Sequence, residues 1–224
     1  MIFDDKLNVQ SAVLLQTAAR ELAQADAAMA AIIRQVGPCQ LRMTWRSHYF
    51  RALVEAIIYQ QLSGKAASAI LARFRALYPS HRFPLPQEIL GTPASKLRAV
   101  GLSKQKISYI QDLAARAASG AFLARRLAAL ADEQVIAHLT EIKGIGRWTA
   151  EMFLIFCLGR PDVLSPSDLG IRKAVQKAYA YKSLPSPRTV ERHGQRWKPY
   201  RSIACWYLWA SVDGAAPGPA SREP

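Results

Sequence analysis

The sequence predicts an all-α fold, and three observations carry that reading. Apolar residues recur at helical spacing through most of the chain, strand-type alternation is scarce, and helix start and stop residues separate the periodic runs. In "FRALVEAIIYQQLSG" Phe50, Leu53, Val54, Ile57 and Ile58 fall at offsets 0, 3, 4, 7 and 8, one face of a helix.

The elements follow in order. A helical region "AVLLQTAARELAQADAAMAAIIRQV" precedes that helix. Ser63 then stands as N-cap of "GKAASAILARFRALYP", where Ala67, Ile70, Leu71, Phe74, Leu77 and Tyr78 line a face and Pro79 marks the stop. "TPASKLRAVG" reads as a short helix with Thr92 as N-cap, Pro93 at the first helical position and Gly101 as its end. "SKQKISYIQDLAARAASG" places Ile107, Ile110, Leu113 and Ala117 on one side, between Ser103 and Gly120. "DEQVIAHLTEI", "RWTAEMFLIFCLG", "SDLGIRKAVQKAYAY" and "WKPYRSIACWYLWA" complete the predicted helices. The prolines of "SHRFPLPQE" and "SLPSPRT" predict connectors, and no fixed-period repeat is present.

Composition narrows the function. The chain has 224 residues, enough to bury a substantial core, with Lys plus Arg at 30 against Asp plus Glu at 16. The formal net charge of +14 points to a polyanionic partner. Cys39, Cys157 and Cys205 are odd in number and scattered, which argues against a disulfide framework or a CxxC-type metal site and fits a reducing cytosol or nucleus. No apolar run approaches the ~20 residues of a membrane span, and the N-terminus lacks a secretory layout, so the expectation is a soluble intracellular protein with no membrane partner. The segment "DGAAPGPASREP" is too poor in periodic apolar residues to order itself and is expected to be disordered.

One stretch concentrates the candidate chemistry: "EIKGIGRWTAEMFLIFCLGRPDVLSPSDLG". Between Ile142 and Trp148, "KGIGR" allows only a tight turn, because Gly144 and Gly146 tolerate conformations or close approaches denied to larger residues. The backbone amides of such a turn, with the start of the next helix, can form a nest for a phosphate, flanked here by Lys143 and Arg147. An ordinary turn between helices is the plainer reading of the same residues. Asp168 stands at the start of the next predicted helix, where it is either a simple N-terminal acid favoured by the macrodipole or, with Ser165 or Ser167 as the cap, a carboxylate left for chemistry.

The segments "LTEIKGIGRWTAEMFL", "VLSPSDLGIRKA" and "RWKPYRSIACWYLW" together resemble the helix–hairpin–helix DNA glycosylases of the DNA-3-methyladenine glycosylase II type. "FRALVEAIIYQQLSGKAASAI" and "LRAVGLSKQKISYIQDLA" resemble earlier helices of that family, so the likeness runs from about Tyr49 to about Ala210. It implies a compact two-lobed helical bundle over residues 1–210, with a cleft between the lobes and a hairpin that grips DNA, followed by a disordered tail over 211–224.

The resemblance further implies a monofunctional enzyme of base excision repair. It would act as a monomer on double-stranded DNA containing alkylated purines, in a bacterial cytoplasm or a eukaryotic nucleus. Asp168 would be the catalytic carboxylate, stabilising the oxocarbenium-like sugar or orienting water; both roles are open. Trp148, Trp206, Tyr207 and Trp209 would line the pocket for the cationic base, although ordinary core packing suits Trp206, Tyr207 and Trp209 equally. Lys143, Gly144, Ile145, Gly146 and Arg147 would contact the DNA backbone, as would Ser63 and Arg172, although a solvated helix face suits Arg172 equally. Gln61, or Leu62 beside it, would fill the gap left by the flipped base, although a plain exposed glutamine at a helix end fits Gln61 nearly as well. No cofactor is required; a structural monovalent cation, sodium or potassium, would sit on the carbonyls of Thr140, Ile142 and Ile145. The rival readings are a bifunctional glycosylase/lyase on oxidised bases and a non-catalytic DNA-binding module. Against them stand Trp148, where the resemblance would place a lyase lysine, and Asp168.

Overall fold

The computed structural model describes residues 2–41, 49–79, 83–120 and 124–213, with side chains described over 12–41, 49–79, 83–120 and 127–212. The described residues hold helices and no strand. In order these are α1 (Ile2–Ala25), α2 (Ala27–Val36), α3 (Tyr49–Tyr59), α4 (Gly64–Ala76), α5 (Pro86–Gly91), α6 (Ala94–Ala99) and α7 (Lys104–Ala118). They continue with α8 (Ala124–Ala129), α9 (Asp132–Thr140), α10 (Arg147–Phe156), α11 (Leu169–Ala178), α12 (Pro187–Gly194), a 3₁₀ turn at Gln195–Trp197, and α13 (Arg201–Asp213). No helix among the described residues is long and apolar enough to cross a membrane.

The chain divides into two compact units, Arg46–Phe153 and the pair of segments Met1–Trp45 and Leu154–Pro224, with the boundary falling inside α10. In the central unit, α7 packs against α3, α5 and α6. Its apolar stripe Ile107, Ile110 and Leu113 is buried, as are Leu53, Val54, Ile57 and Ile58 of α3 and Ile89 of α5. Each such side chain contributes roughly 1.5–3 kcal/mol of transfer free energy. The opposite face of α7 is polar.

In the other unit α13 lies against α11, α2 and α1. Every residue from Ser202 to Trp209 is buried, so α13 is enclosed on all sides, which a helix apolar around its whole circumference requires. Ser202 satisfies its hydroxyl there by donating to the Arg160 carbonyl at 2.6 Å while accepting from Val163 N–H at 2.9 Å.

Several elements differ from the sequence expectation. The expected single N-terminal helical region is two helices, because Asp26 takes an extended conformation (φ −150°) and caps α2 through Ala28 N and Met29 N. Thr92 is not the cap of α6: it closes α5, its hydroxyl donating to the Glu88 carbonyl at 2.7 Å, and Pro93 takes the N-cap position. The expected connectors "SHRFPLPQE" and "SLPSPRT" contain the starts of α5 and α12, each with proline at its first helical position, where the missing N–H is no loss. The aromatic "RWKPY" precedes α13 rather than belonging to it. That helix runs through Asp213, three residues into the expected tail; residues 214–224 lie outside the described residues.

Candidate active site

Asp168 is itself the N-cap of α11, so neither Ser165 nor Ser167 replaces it. Its Oδ1 accepts the Ile171 amide at 2.8 Å and the Trp209 indole N–H, also at 2.8 Å. Two donors from different helices therefore fix the carboxylate. Gly170 makes this approach possible: a Cβ there would lie 3.0 Å from Trp209 Cδ1 and 3.1 Å from Asp168 Oδ1. Trp209 is 2% exposed and stacks on Phe156 with ring centroids 5.9 Å apart, so the indole that orients the acid is itself immobilised by packing.

The same burial extends to the other two aromatics of α13, for which pocket lining and core packing were both open. Tyr207 is fully buried and donates its hydroxyl to the Gly37 carbonyl at 3.2 Å, and Trp206 packs edge-on against it. Trp206, Tyr207 and Trp209 are core residues of their unit, and Trp209 serves the site by holding Asp168. Of the four aromatics only Trp148, 49% exposed on the first turn of α10, offers a ring face to solvent. Arg172, expected as a phosphate contact or a solvated charge, donates its Nε to the Pro185 carbonyl at 2.8 Å and ties down the segment before α12.

The turn between α9 and α10 is built from alternating roles. Ile142 and Ile145 are buried and anchor its underside, and Ile145 N–H donates to the Ile142 carbonyl at 3.0 Å. Lys143 and Gly146 are exposed. Gly144 has φ +81°, and a Cβ added to it would land on the ring of Tyr109, so glycine is required there twice over. A Cβ on Gly146 would meet nothing within 4 Å, so the protein itself makes no demand for glycine at that position. The amides of Gly144 and Gly146 have no acceptor among the described residues. The Lys143 amide is spent on Asp112 Oδ2 at 3.0 Å.

Arg147, expected as a backbone-positioning charge, is exposed and ion-paired in this structure. Its guanidinium meets both carboxylate oxygens of Glu133, at 2.6 and 3.0 Å, and Glu151 Oε1 at 3.1 Å. The hydrogen bonds from Arg147 hold Glu133 below the usual carboxylate range. The side chain thus clamps α9 to α10 across the turn.

Gln61 and Leu62 are both exposed at the turn that follows α3, and Gln61 has φ +55°. A left-handed conformation in a non-glycine residue costs of order 1–3 kcal/mol and persists only where its surroundings enforce it. Ser63 caps α4 through the Ala66 amide, as expected. Thr140, at the end of α9, turns its hydroxyl back onto the carbonyls of Ile136 and Ala137.

Sequence reasoning missed the polar network around Asp26. Its Oδ2 accepts the Tyr179 hydroxyl at 2.5 Å and the Trp197 indole N–H at 3.2 Å, beside the Arg196 guanidinium at 3.8 Å. A helix-breaking Asp inside an alanine-rich run was the one local signal for it. Burial pushes the Cys39 thiol up to about 12, which suits packing rather than nucleophilic chemistry. Among the described residues no group of His, Cys, Asp and Glu is placed to hold a metal ion.

Residues 54–199 match the family model described as HhH-GPD superfamily base excision DNA repair protein. DNA-3-methyladenine glycosylase 1 of Schizosaccharomyces pombe is 39% identical over 161 residues, 71% of each chain. The structure of the S. pombe 3-methyladenine DNA glycosylase Mag1 in complex with abasic DNA superposes with a TM-score of 0.78 at 34% identity, covering 87% of this chain and 95% of that one. A DNA-3-methyladenine glycosidase from Bacillus halodurans gives a TM-score of 0.78 at 36% identity, covering 88% and 90%.

Proposed function

The chain belongs to the HhH-GPD superfamily of base excision DNA repair proteins, and we propose that it is a monofunctional glycosylase that removes alkylated purines of the 3-methyladenine type from double-stranded DNA. The observation that carries this reading is the fixed carboxylate of Asp168, held by the Ile171 amide and the Trp209 indole. Breaking an N-glycosidic bond leaves positive charge on the sugar, and a preoriented carboxylate stabilises that charge with no reorganisation at the moment of reaction. The same group can accept a proton from, or orient, the attacking water.

An alkylated purine is cationic and leaves readily, so a single carboxylate is enough. Its charge also favours an aromatic face, and the half-exposed indole of Trp148 supplies one. Around the turn, the amides of Gly144 and Gly146 and the start of α10 suit a backbone phosphate, with Lys143 adding a salt-sensitive charge. The same turn fits a monovalent cation: α9 ends there, its terminal carbonyls carry partial negative charge, and oxygens of Thr140, Ile142 and Ile145 are the donor type that sodium or potassium takes. Bound there, the ion would add positive charge facing a phosphate. A lyase needs an amine to form an imine with the sugar, and Trp148 cannot provide it.

Incubating the protein with duplexes that each carry one lesion tests this function. Free alkylated purine should appear, the strand should stay intact until alkali treatment, and borohydride should trap no protein–DNA adduct. An adduct lost on changing one lysine would identify a lyase instead; no base release from any alkylated duplex would refute the glycosylase reading.

A further inference from the structure

We infer that Lys106 is a positioning residue that, together with Gln60, presets the gap-filling turn at Gln61–Leu62 and couples it to the DNA-gripping turn at Lys143–Gly146. The inference rests on the glycosylase reading, because the turn has work to do only if a base is displaced.

Lys106 lies on the first turn of α7 and extends its ammonium to the end of α3. There it donates to the Ile58 carbonyl at 2.7 Å and to the Gln60 carbonyl at 2.8 Å, one on each side of Tyr59. Terminal carbonyls of a helix are normally met by water or by a glycine-based cap, and α3 ends with neither glycine nor proline. Burial depresses the ammonium's pKa, the signature of a charge drawn in to do this. The residue immediately after the second carbonyl is Gln61, held at φ +55°.

Gln60 extends the tie. Its side-chain amide donates to the Gly144 carbonyl at 2.8 Å, so the turn after α3 and the turn before α10 share a hydrogen bond. The same face of α7 supports the second turn along its length. Tyr109 lies under Gly144, Asp112 accepts the Lys143 amide, and Arg116 donates to the Glu141 carbonyl at 3.0 Å. Lys106, Tyr109, Asp112 and Arg116 recur every three or four residues, one polar stripe aligning two exposed turns.

The consequence is specific to base flipping. A side chain that enters the stack offsets the cost of unstacking only to the extent that it is already ordered, and Lys106 does the ordering before DNA arrives. Its loss should therefore weigh on a lesion that must be extracted from a paired stack, and much less on one already unpaired.

Single-turnover excision of one alkylated purine is to be measured in two contexts, paired in a duplex and inside a mismatched bubble. Lys106→Met should lower the rate on the paired lesion by about tenfold and on the bubble by less than about twofold, since unpaired bases cost least to flip. Gln60→Leu should show the same asymmetry more weakly, and fluorescence of a 2-aminopurine beside the lesion should report less unstacking at equal occupancy. If Lys106→Met fails to fold, Gln60→Leu carries the same comparison. Equal losses in both contexts would mean a merely structural lysine, and no loss in either would also overturn the proposal. Base release by the wild type from neither substrate would instead overturn the glycosylase reading on which it rests.

Discussion

Gly144 and Gly146 are one residue apart and look interchangeable in the sequence, yet they answer to different constraints. Gly144 is demanded by the fold, through its φ of +81° and the Tyr109 ring beneath it. Gly146 faces open space, so any demand for glycine there comes from a ligand's approach. Gly144→Ala should therefore lower the melting temperature by several degrees, the scale of strain plus displacement of a packed ring. Gly146→Ala should leave the melting temperature unchanged and weaken binding to damaged and undamaged duplex alike. Thermal melts paired with binding isotherms separate the two cases; a Gly146→Ala protein that binds DNA normally would remove that glycine from the interface. The place of Asp168 at the start of α11 was legible at this scale because its motif is local, from "SPSD" into that helix. The fate of Trp206, Tyr207 and Trp209 was not: closely spaced aromatics on one helix point in different directions, and only the packing around α13 shows that all of them are enclosed.

Between elements, polar contacts decide more than helix propensity does. Asp26, Tyr179, His193, Arg196 and Trp197 join α2, the end of α11, α12 and the 3₁₀ turn. Burial raises the pKa of Asp26, but hydrogen bonds from Tyr179, Trp197 and two amides outweigh it and hold the carboxyl below its ordinary value. Burial and the charges of Arg196 and Arg192 hold His193 below its ordinary 6.5, opposed by Asp26. Arg196 can only donate, so His193 Nδ1 accepts at 2.7 Å and Nε2 carries the proton toward the Tyr181 hydroxyl. A histidine with a depressed folded pKa stabilises above its unfolded value and loses that contribution as pH falls through the folded one. The melting temperature should thus decline below about pH 6.5, the unfolded histidine value, before carboxylates titrate. His193→Gln should flatten that decline between neutrality and about pH 5; parallel curves for the two proteins would contradict it. Beyond the helix-breaking Asp26 itself, the partners of this network were not readable in sequence, because Asp26 lies 153 residues from Tyr179 and 171 from Trp197. The helices α5 and α12 were missed for a different reason, since proline was read as a breaker where it opens a helix.

At the scale of the whole molecule, the formal charge of +14 makes association with DNA salt-sensitive, and the paired arginines narrow down which cations contribute. Arg147 is exposed but shares its charge with Glu133 and Glu151, whereas Lys143 stands exposed at its turn. Lys143→Glu should weaken binding to any duplex and reduce the slope of log affinity against log salt by about one or more, as loss and reversal of one phosphate contact requires. An unchanged slope would place Lys143 away from the backbone. The all-α class was legible at this scale, because apolar spacing repeats through the chain regardless of tertiary context. The central claim is that a single fixed carboxylate performs the hydrolysis, and Asp168→Asn tests it most directly. Asparagine keeps the Oδ1 acceptor for the Ile171 amide and the Trp209 indole, so the fold and DNA affinity should persist. Single-turnover excision of an alkylated purine should fall at least ~100-fold, the scale of a positioned acid–base group. Excision within a few-fold of wild type by a protein of unchanged stability and affinity would contradict the account.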